Sequence, residues 1–389
     1  MKIRDVRCHV LLAPDVDEGL TSSAQDGFLV VIETDEGAIG IGESDLNPWI
    51  GKACLEARGT HTMGRSLRDM LIGEDPRDIA GIWQKLYVGS AMNGRRGAVV
   101  HVIGAIDMAL WDLLGKLEGV PVYQLLGGLK QTEVVPYASL QPVTHDFVSY
   151  RDSLVEWSER ACASGFRAIK AEITMNGPYA HSGLDESYER HTEVIDAIRS
   201  AIGPDVALLV DVQYMWDDAD TALETIRTWE RYDLAFVETP LWCDDLAGHA
   251  RLAEGTTIPI ASGEWLSTRH EFRSLMDEGR IGIAQPDVGR VGGLSEALIV
   301  ADMAADRGIP IVPHCWKTGV SVAATAHFAF ARANVKYIEY LPASMCVERL
   351  RRELADDGLT FRDGIVVPPE APGLGFTVDM DALRRFEVS

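Results

Sequence analysis

Six successive apolar runs of this 389-residue chain end on a residue that can hold a charge or move a proton. VALLVD ends on Asp211, LAFVE on Glu238, IPIASGE on Glu264, IGIAQPD on Asp287, IPIVPH on His314 and VKYIE on Glu339, each 23 to 27 residues after the one before. One acid at one strand end is ordinarily a cap or an ion-pair partner. Asp287 alone, in QPDVGRVGG, could cap the helix that follows, and a lone His314 could be a core histidine. Recurrence over the first five of these runs, Asp211 to His314, points elsewhere. Asp211, Glu238 and Glu264 brought side by side would repel and resist desolvation unless a cation joined them. An all-oxygen set with open positions suits Mg²⁺, whereas zinc more often takes His or Cys. Asp287 beside His314 would fix the imidazole tautomer and raise its basicity, the arrangement of an acid/base dyad.

A seventh stretch, FRAIKAEIT, interrupts an apolar strand signal with Lys170 and Glu172. Residues i and i+2 of a strand share a face, so the two point together, into a site or into solvent.

The elements that must carry these residues follow from the spacing. From about Val134, eight short runs alternate with helical text: VVPYASL, FRAIKAE and the six above. They are apolar throughout rather than alternating, as strands buried on both faces are. Eight such strands alternating with helices predict an α/β fold closed into a TIM-like barrel, whose catalytic residues gather at the C-terminal mouth. Before them, residues 1–125 read as a small α+β domain, with a hairpin pattern around TDEG and a long apolar-periodic helix ended by Gly119 and Pro121. The barrel is expected over 126–365, and the Pro/Gly-rich segment 366–389 reads as a tail packing back on another domain.

Composition bounds the partners. A formal net charge of −23 argues against nucleic acid or an anionic membrane, both of which need a basic face. No run approaches the roughly 18 uninterrupted apolar residues of a membrane helix, and the first residues, MKIRDVRCHVLLAPDVDEG, lack an apolar secretory core. A cytoplasmic protein is expected. The six cysteines are scattered without a C-x-x-C pair, so neither zinc-finger spacing nor a disulfide framework is expected.

The motifs LLVDVQY, FVETPL, IASGEW, QPDVGRVGG and PHCWKTG, with the helix GAIDMALWDLLGKLEGVPVYQLLGG, resemble the enolase superfamily, and within it the mandelate racemase subgroup with its acid-sugar dehydratases. The resemblance spans essentially the whole chain. It implies a modified (β/α)7β barrel with an α+β capping domain, and Mg²⁺ on Asp211, Glu238 and Glu264. It further implies a small-molecule carboxylate substrate, a sugar acid, whose α-proton is removed to an enediolate. His314, tuned by Asp287, would be the base and, in a dehydratase, also the acid that expels the β-hydroxyl to give a 2-keto-3-deoxy acid. Glu339 would hydrogen-bond the substrate carboxylate. A homo-oligomer is also implied.

The sequence departs from the subgroup at Lys170-Ala171-Glu172, where the family usually carries K-x-K and uses the second lysine as base on the opposite face. Lys170 would contact the substrate carboxylate or a metal-bound oxygen. Glu172 is either an ion-pair partner of Lys170 or an acceptor for sugar hydroxyls, or else a carboxylate base. With only the dyad intact, one-base dehydration is favoured; racemisation, epimerisation, or lactone or anhydro-sugar cycloisomerisation through the same enediolate stays open. Two polar segments, Glu18–Gly27 and Ser44–Gly51, read as lids. Asn47 and Trp49 in the second, Gln213 two residues after Asp211, and Lys317 and Trp316 after the dyad histidine are candidates for substrate binding, with Tyr179 and His181 less favoured.

Overall fold

The computed structural model describes residues 1–388. It begins with an antiparallel meander of β1 (Ile3–Leu12), β2 (Asp26–Thr34) and β3 (Ile39–Ser44), in that spatial order. The tight turn between β2 and β3 is the TDEG hairpin, closed by the Gly37 amide on the Thr34 carbonyl at 3.1 Å. Across this sheet lies the helix Ala98–Glu118, which ends at Gly119 in the left-handed region (φ 68°). The sheet and helix approach so closely that β3 needs glycine at two alternate positions. A Cβ on Gly40 would stand 2.0 Å from the Ala109 carbonyl oxygen, and one on Gly42 2.1 Å from that of Ala105. The helix has the length and apolarity of a membrane span, but most of it is buried inside the protein.

The barrel follows as β4 (Val135–Leu140), β5 (Ala168–Glu172), β6 (Ala207–Asp211), β7 (Leu234–Glu238), β8 (Ile260–Ser262), β9 (Ile283–Ala284) and β10 (Tyr337–Glu339), parallel in the order β10-β4-β5-β6-β7-β8-β9. One difference from the expected eight strands is instructive. IPIVPH forms no extended strand. Pro310 and Pro313 flank it, and proline has no amide to give a ladder. Ile311 alone bridges, to Ala284 on one side and Val335 on the other, which closes the ring between β9 and β10. Inside, Tyr137, Ala168, Leu209, Phe236, Ala261, Ile283 and Val312 stack into a packed interior, one residue from each of seven positions around the barrel.

The chain then returns. A hairpin, Thr360–Arg362 with Ile365–Val367, pairs through Val366 with Val134 just before β4, so it straddles the expected 365/366 boundary. The final helix, Met380–Phe386, leads Glu387 and Val388 onto β1: the Val388 amide donates to the Val10 carbonyl at 2.9 Å, and Glu387 meets His9 Nδ1 at 2.7 Å. The second expected lid is not a loop. Ser44 ends β3, and Pro48–Glu56 is a helix whose first turn is capped by the Asn47 side chain, accepting from the Trp49 and Ile50 amides. Asn followed by Pro is a helix start, the cap and the preset φ of the first turn together.

Candidate active site

Each barrel strand delivers its last polar side chain to the same end. β5 ends with Lys170 and Glu172 on one face, both buried. Lys170 Nζ lies 2.7 Å from Glu238 Oε1, 3.1 Å from Glu339 Oε1 and 3.7 Å from Asp211 Oδ2, so one ammonium serves carboxylates from β6, β7 and β10. Burial alone would pull its pKa down, but Glu238 and Glu339 outweigh that and hold it well above the ordinary lysine value. Asp211 goes the other way. Burial, then repulsion from Glu238, raises it well above the usual carboxylate range. Glu238 is also raised, burial exceeding the attraction of Lys170. Glu339 resists its burial because Lys170, His314 and the Cys315 amide, which donates to Oε2 at 2.7 Å, pull it down to about 2.

His314 and Asp287 meet as the sequence suggests. Asp287 Oδ2 accepts from His314 Nδ1 at 2.8 Å, while its Oδ1 accepts the Gly289 and Arg290 amides at 2.8 and 3.0 Å. Asp287 is therefore a turn cap and an imidazole partner at once. The other ring nitrogen, Nε2, faces Glu264 Oε2 at 3.5 Å. Burial disfavours the imidazolium, yet Glu264 and Asp287 leave the pKa above its ordinary value.

A cavity of about 160 Å³ is lined by Lys170, Glu172, Asp211, Gln213, Glu264, His314 and Glu339 together. Glu238 lies beneath it, fully buried and bonded to Lys170 and, at 2.6 Å, to the Gln285 amide. Gln285 was not anticipated; it stands two residues before Asp287 on the same short run, a signal that was available. Ser139 and Gln141, from the end of β4, also line the cavity. An adjoining cavity of about 260 Å³ shares Thr21, Ser139, Gln141 and Trp316 with it.

Glu172 pairs not with Lys170 but with His181, Oε1 to Nε2 at 2.5 Å, and accepts from Gln141 Nε2 at 3.1 Å. Three candidates stand elsewhere. Lys317, almost wholly buried, reaches into the capping domain, 2.6 Å from Asp26 Oδ1 and 3.2 Å from Asp45 Oδ1, so no donor is left for a substrate. Asn47 caps its own helix, and Trp49, in the first turn of that helix, is 43% exposed; neither lines the cavity. Trp316 does line it, its Nε1 bonded to Ser22 Oγ at 2.9 Å and its ring under the Arg351 guanidinium at 4.1 Å.

Among the described residues, no three metal-binding groups are drawn into a ready cage. Lys170 holds Glu238 toward itself, and the carboxylates otherwise repel. The donor set nevertheless fits a hard divalent cation. Asp211, Glu238 and Glu264 offer oxygen only, and burial first, with neighbouring carboxylates adding to it, raises Asp211 and Glu238 although Lys170 stands beside both.

Comparison with known proteins decides the family. Residues 9–127 match the mandelate racemase / muconate lactonizing enzyme N-terminal domain, and residues 153–382 match the enolase C-terminal domain-like family. The chain belongs to the mandelate racemase family of the enolase superfamily. Similar relatives of this family member include a D-galactarolactone cycloisomerase from Agrobacterium fabrum, 32% identical over 100% of this chain and 99% of that one. An arabinonate dehydratase from Saccharolobus solfataricus is 31% identical over 97% of this chain and 96% of the other. Among solved structures, the 3,6-anhydro-D-galactonate cycloisomerase from Zobellia galactanivorans superposes with a TM-score of 0.87 at 29% identity, covering 100% of both chains. The fold is the family's TIM-like barrel with an N-terminal capping domain.

Proposed function

We propose that this mandelate racemase family member is a Mg²⁺-dependent hydro-lyase acting on a sugar acid, an aldonate or aldarate. The observation that carries the reading is a single cavity in which His314, backed by Asp287, faces a surplus of carboxylates and one fixed ammonium. Similarity to dehydratases of arabinonate and of galactonate supports it.

Asp211, Glu238 and Glu264 would hold the cation. Bound there, it supplies positive charge where negative charge grows as a carbon acid α to a carboxylate loses its proton. Lys170, kept charged by its neighbours, is placed to neutralise a substrate carboxylate oxygen from the β5 side. In the neutral imidazole, Nδ1–H donates to Asp287, leaving Nε2 with its lone pair toward the cavity. Nε2 takes the α-proton, Asp287 stabilises the resulting imidazolium, and the same proton passes to the β-hydroxyl, which leaves as water. The remaining enol ketonises to a 2-keto-3-deoxy acid.

A second reading, lactone or anhydro-sugar cycloisomerisation, is favoured by Glu172. Paired with His181 rather than Lys170, it presents a carboxylate to the cavity from a different strand than His314, and two relatives matched over the whole chain are cycloisomerases. The test is to trap 2-keto acids as semicarbazones after incubation with a panel of aldonates and aldarates, with Mg²⁺ or with excess chelator. Dehydration predicts a keto-acid signal with Mg²⁺ that chelator abolishes. Consumption of a lactone without a keto acid selects the second reading.

A further inference from the structure

Four aromatic side chains stand on four consecutive loops at the C-terminal mouth of the barrel: Tyr179 after β5, Tyr214 after β6, Trp242 after β7 and Trp265 after β8. Their rings touch. Tyr214 and Trp265 are 4.3 Å apart between centroids at 30°, Trp265 meets Tyr179 edge-on at 5.7 Å and Trp242 edge-on at 5.4 Å, and Tyr214 meets Trp242 at 5.3 Å. The proton transfers described above use none of them.

Three of these rings are not core. Tyr179 and Trp265 are half-buried and line the catalytic cavity, and Trp242 is 45% exposed. Tyr214 is buried beneath them and donates its hydroxyl to Glu264 Oε1 at 2.9 Å, which ties the cluster to the acid set. Its backbone is held in an unfavourable conformation. Gln213 and Tyr214 both lie in the left-handed region, at φ 44° and 60°. Such strain persists only where the surroundings over-determine it, and it gathers at functional sites. Here the Gln213 amide bonds Asp211 Oδ1 at 3.0 Å and the Tyr214 amide bonds the Thr239 carbonyl at 2.6 Å. The indole of Trp316, pinned as described, lines the same cavity from the loop that follows Ile311.

We infer that Trp265 and Tyr179, supported by Tyr214 and Trp242, form a ring-recognition platform, so that the site takes its sugar acid in cyclic form. The ligand class is a five- or six-membered oxygen ring bearing a free carboxylate. An open-chain polyhydroxy acid carries hydroxyls along its whole length and gains little from an aromatic face. A sugar ring directs its hydroxyls outward and gathers C–H bonds on a face, and those bonds complement the negative face of an indole or phenol ring. This inference rests on the second reading of the proposed function, in which the substrate is a lactone or anhydro sugar acid, and an open-chain acid bound as tightly returns the site to the dehydratase reading.

The test uses ligands that carry one negative charge each and keep the same stereocentres relative to the free carboxylate, the cyclic member against its open-chain reduced counterpart: D-galacturonate and D-galactaro-1,4-lactone against L-galactonate, and D-glucuronate against L-gulonate. Binding to the full-length protein with Mg²⁺ is measured by calorimetry. At least one cyclic acid is expected to bind about tenfold tighter than its open-chain counterpart. Trp265→Ala should bring that ratio close to one, and Trp265→Phe should keep it. Equal affinity of cyclic and open acids in the wild type overturns the platform and leaves the carboxylate site standing. So does a ratio unmoved in Trp265→Ala and Tyr179→Ala proteins whose circular dichroism shows them folded. Failure of every acid in either form brings down the carboxylate site, and the platform with it.

Discussion

Lys170 and Lys317 are both almost wholly buried and both stand among carboxylates, yet their surroundings are built differently. Lys317 belongs to a closed cluster between barrel and capping domain. It pairs with Asp26 and Asp45, Arg290 pairs with Asp45, and Glu43 accepts the Thr318 hydroxyl and the Thr318 and Ser321 amides. Two cations meet Asp26 and Asp45; burial raises Asp26 and Glu43, but Arg290 and Lys317 outweigh it at Asp45 and hold that carboxyl far below the usual range. Lys170 belongs to an open cluster. One ammonium faces Asp211, Glu238 and Glu339, Glu264 stands near, and Asp211 is driven upward. Buried charges that are fully paired hold domains together. Buried charges left in surplus around a cavity are poised for a ligand.

The largest expected effects separate the clusters by opposite signs. Asp211→Asn keeps the shape and removes a disfavoured charge. Turnover is expected to fall by about 10³ or more, since the cation site that assists the chemistry is broken. The melting temperature of the metal-free protein should stay level or rise. A coupled drop of both in thermal scans would mean that the open cluster is structural after all. Lys317→Met should do the reverse, leaving Asp26 and Asp45 short of a partner and costing about 3–5 kcal/mol in urea unfolding.

The comparison sharpens with pH. A carboxyl whose folded pKa lies above its unfolded value binds more protons when folded. Its contribution to stability is therefore present at low pH and lost as pH rises from the ordinary 3.8 through the raised value. The metal-free protein should lose stability over that window, and Asp211→Asn should flatten the slope. Urea titrations at successive pH values read this directly; an unchanged slope contradicts the assignment.

The smallest effects concern the second expected lid. Asn47→Ala should cost about 1 kcal/mol as a lost helix cap, and Trp49→Ala should leave KM for the substrate within about twofold, as expected of a surface residue away from the site. A large rise in KM would return these two to the site.

How much of this was legible in the sequence follows the same division. The acid ends of VALLVD, LAFVE and IPIASGE, and the His–Asp pair, could be read because strand spacing alone sends them to one mouth. His314 arrives there even though IPIVPH is reduced by its prolines to one bridging residue. Lys317 could not be distinguished from Lys170, because each is a lysine at the mouth and the partners that separate them, Asp26 and Asp45, come from nearly 300 residues earlier. The His181 pairing with Glu172 depends on how a long loop folds back, and the aromatic cluster follows no common spacing: Tyr214 and Trp265 stand three residues past their strand ends, Trp242 four and Tyr179 seven.

The central claim is that the His314–Asp287 pair moves a proton α to a carboxylate inside the open cluster. Proton NMR in D₂O tests it most directly, with Mg²⁺ and a panel of aldonic and aldaric acids and their lactones, comparing wild type with His314→Asn. For at least one acid, the wild type should erase the α-proton signal or generate the methylene pattern of a 2-keto-3-deoxy product. The variant should slow this by about 10²–10⁴. Undiminished turnover by His314→Asn, or no exchange and no product from any acid in the wild type, would contradict the account.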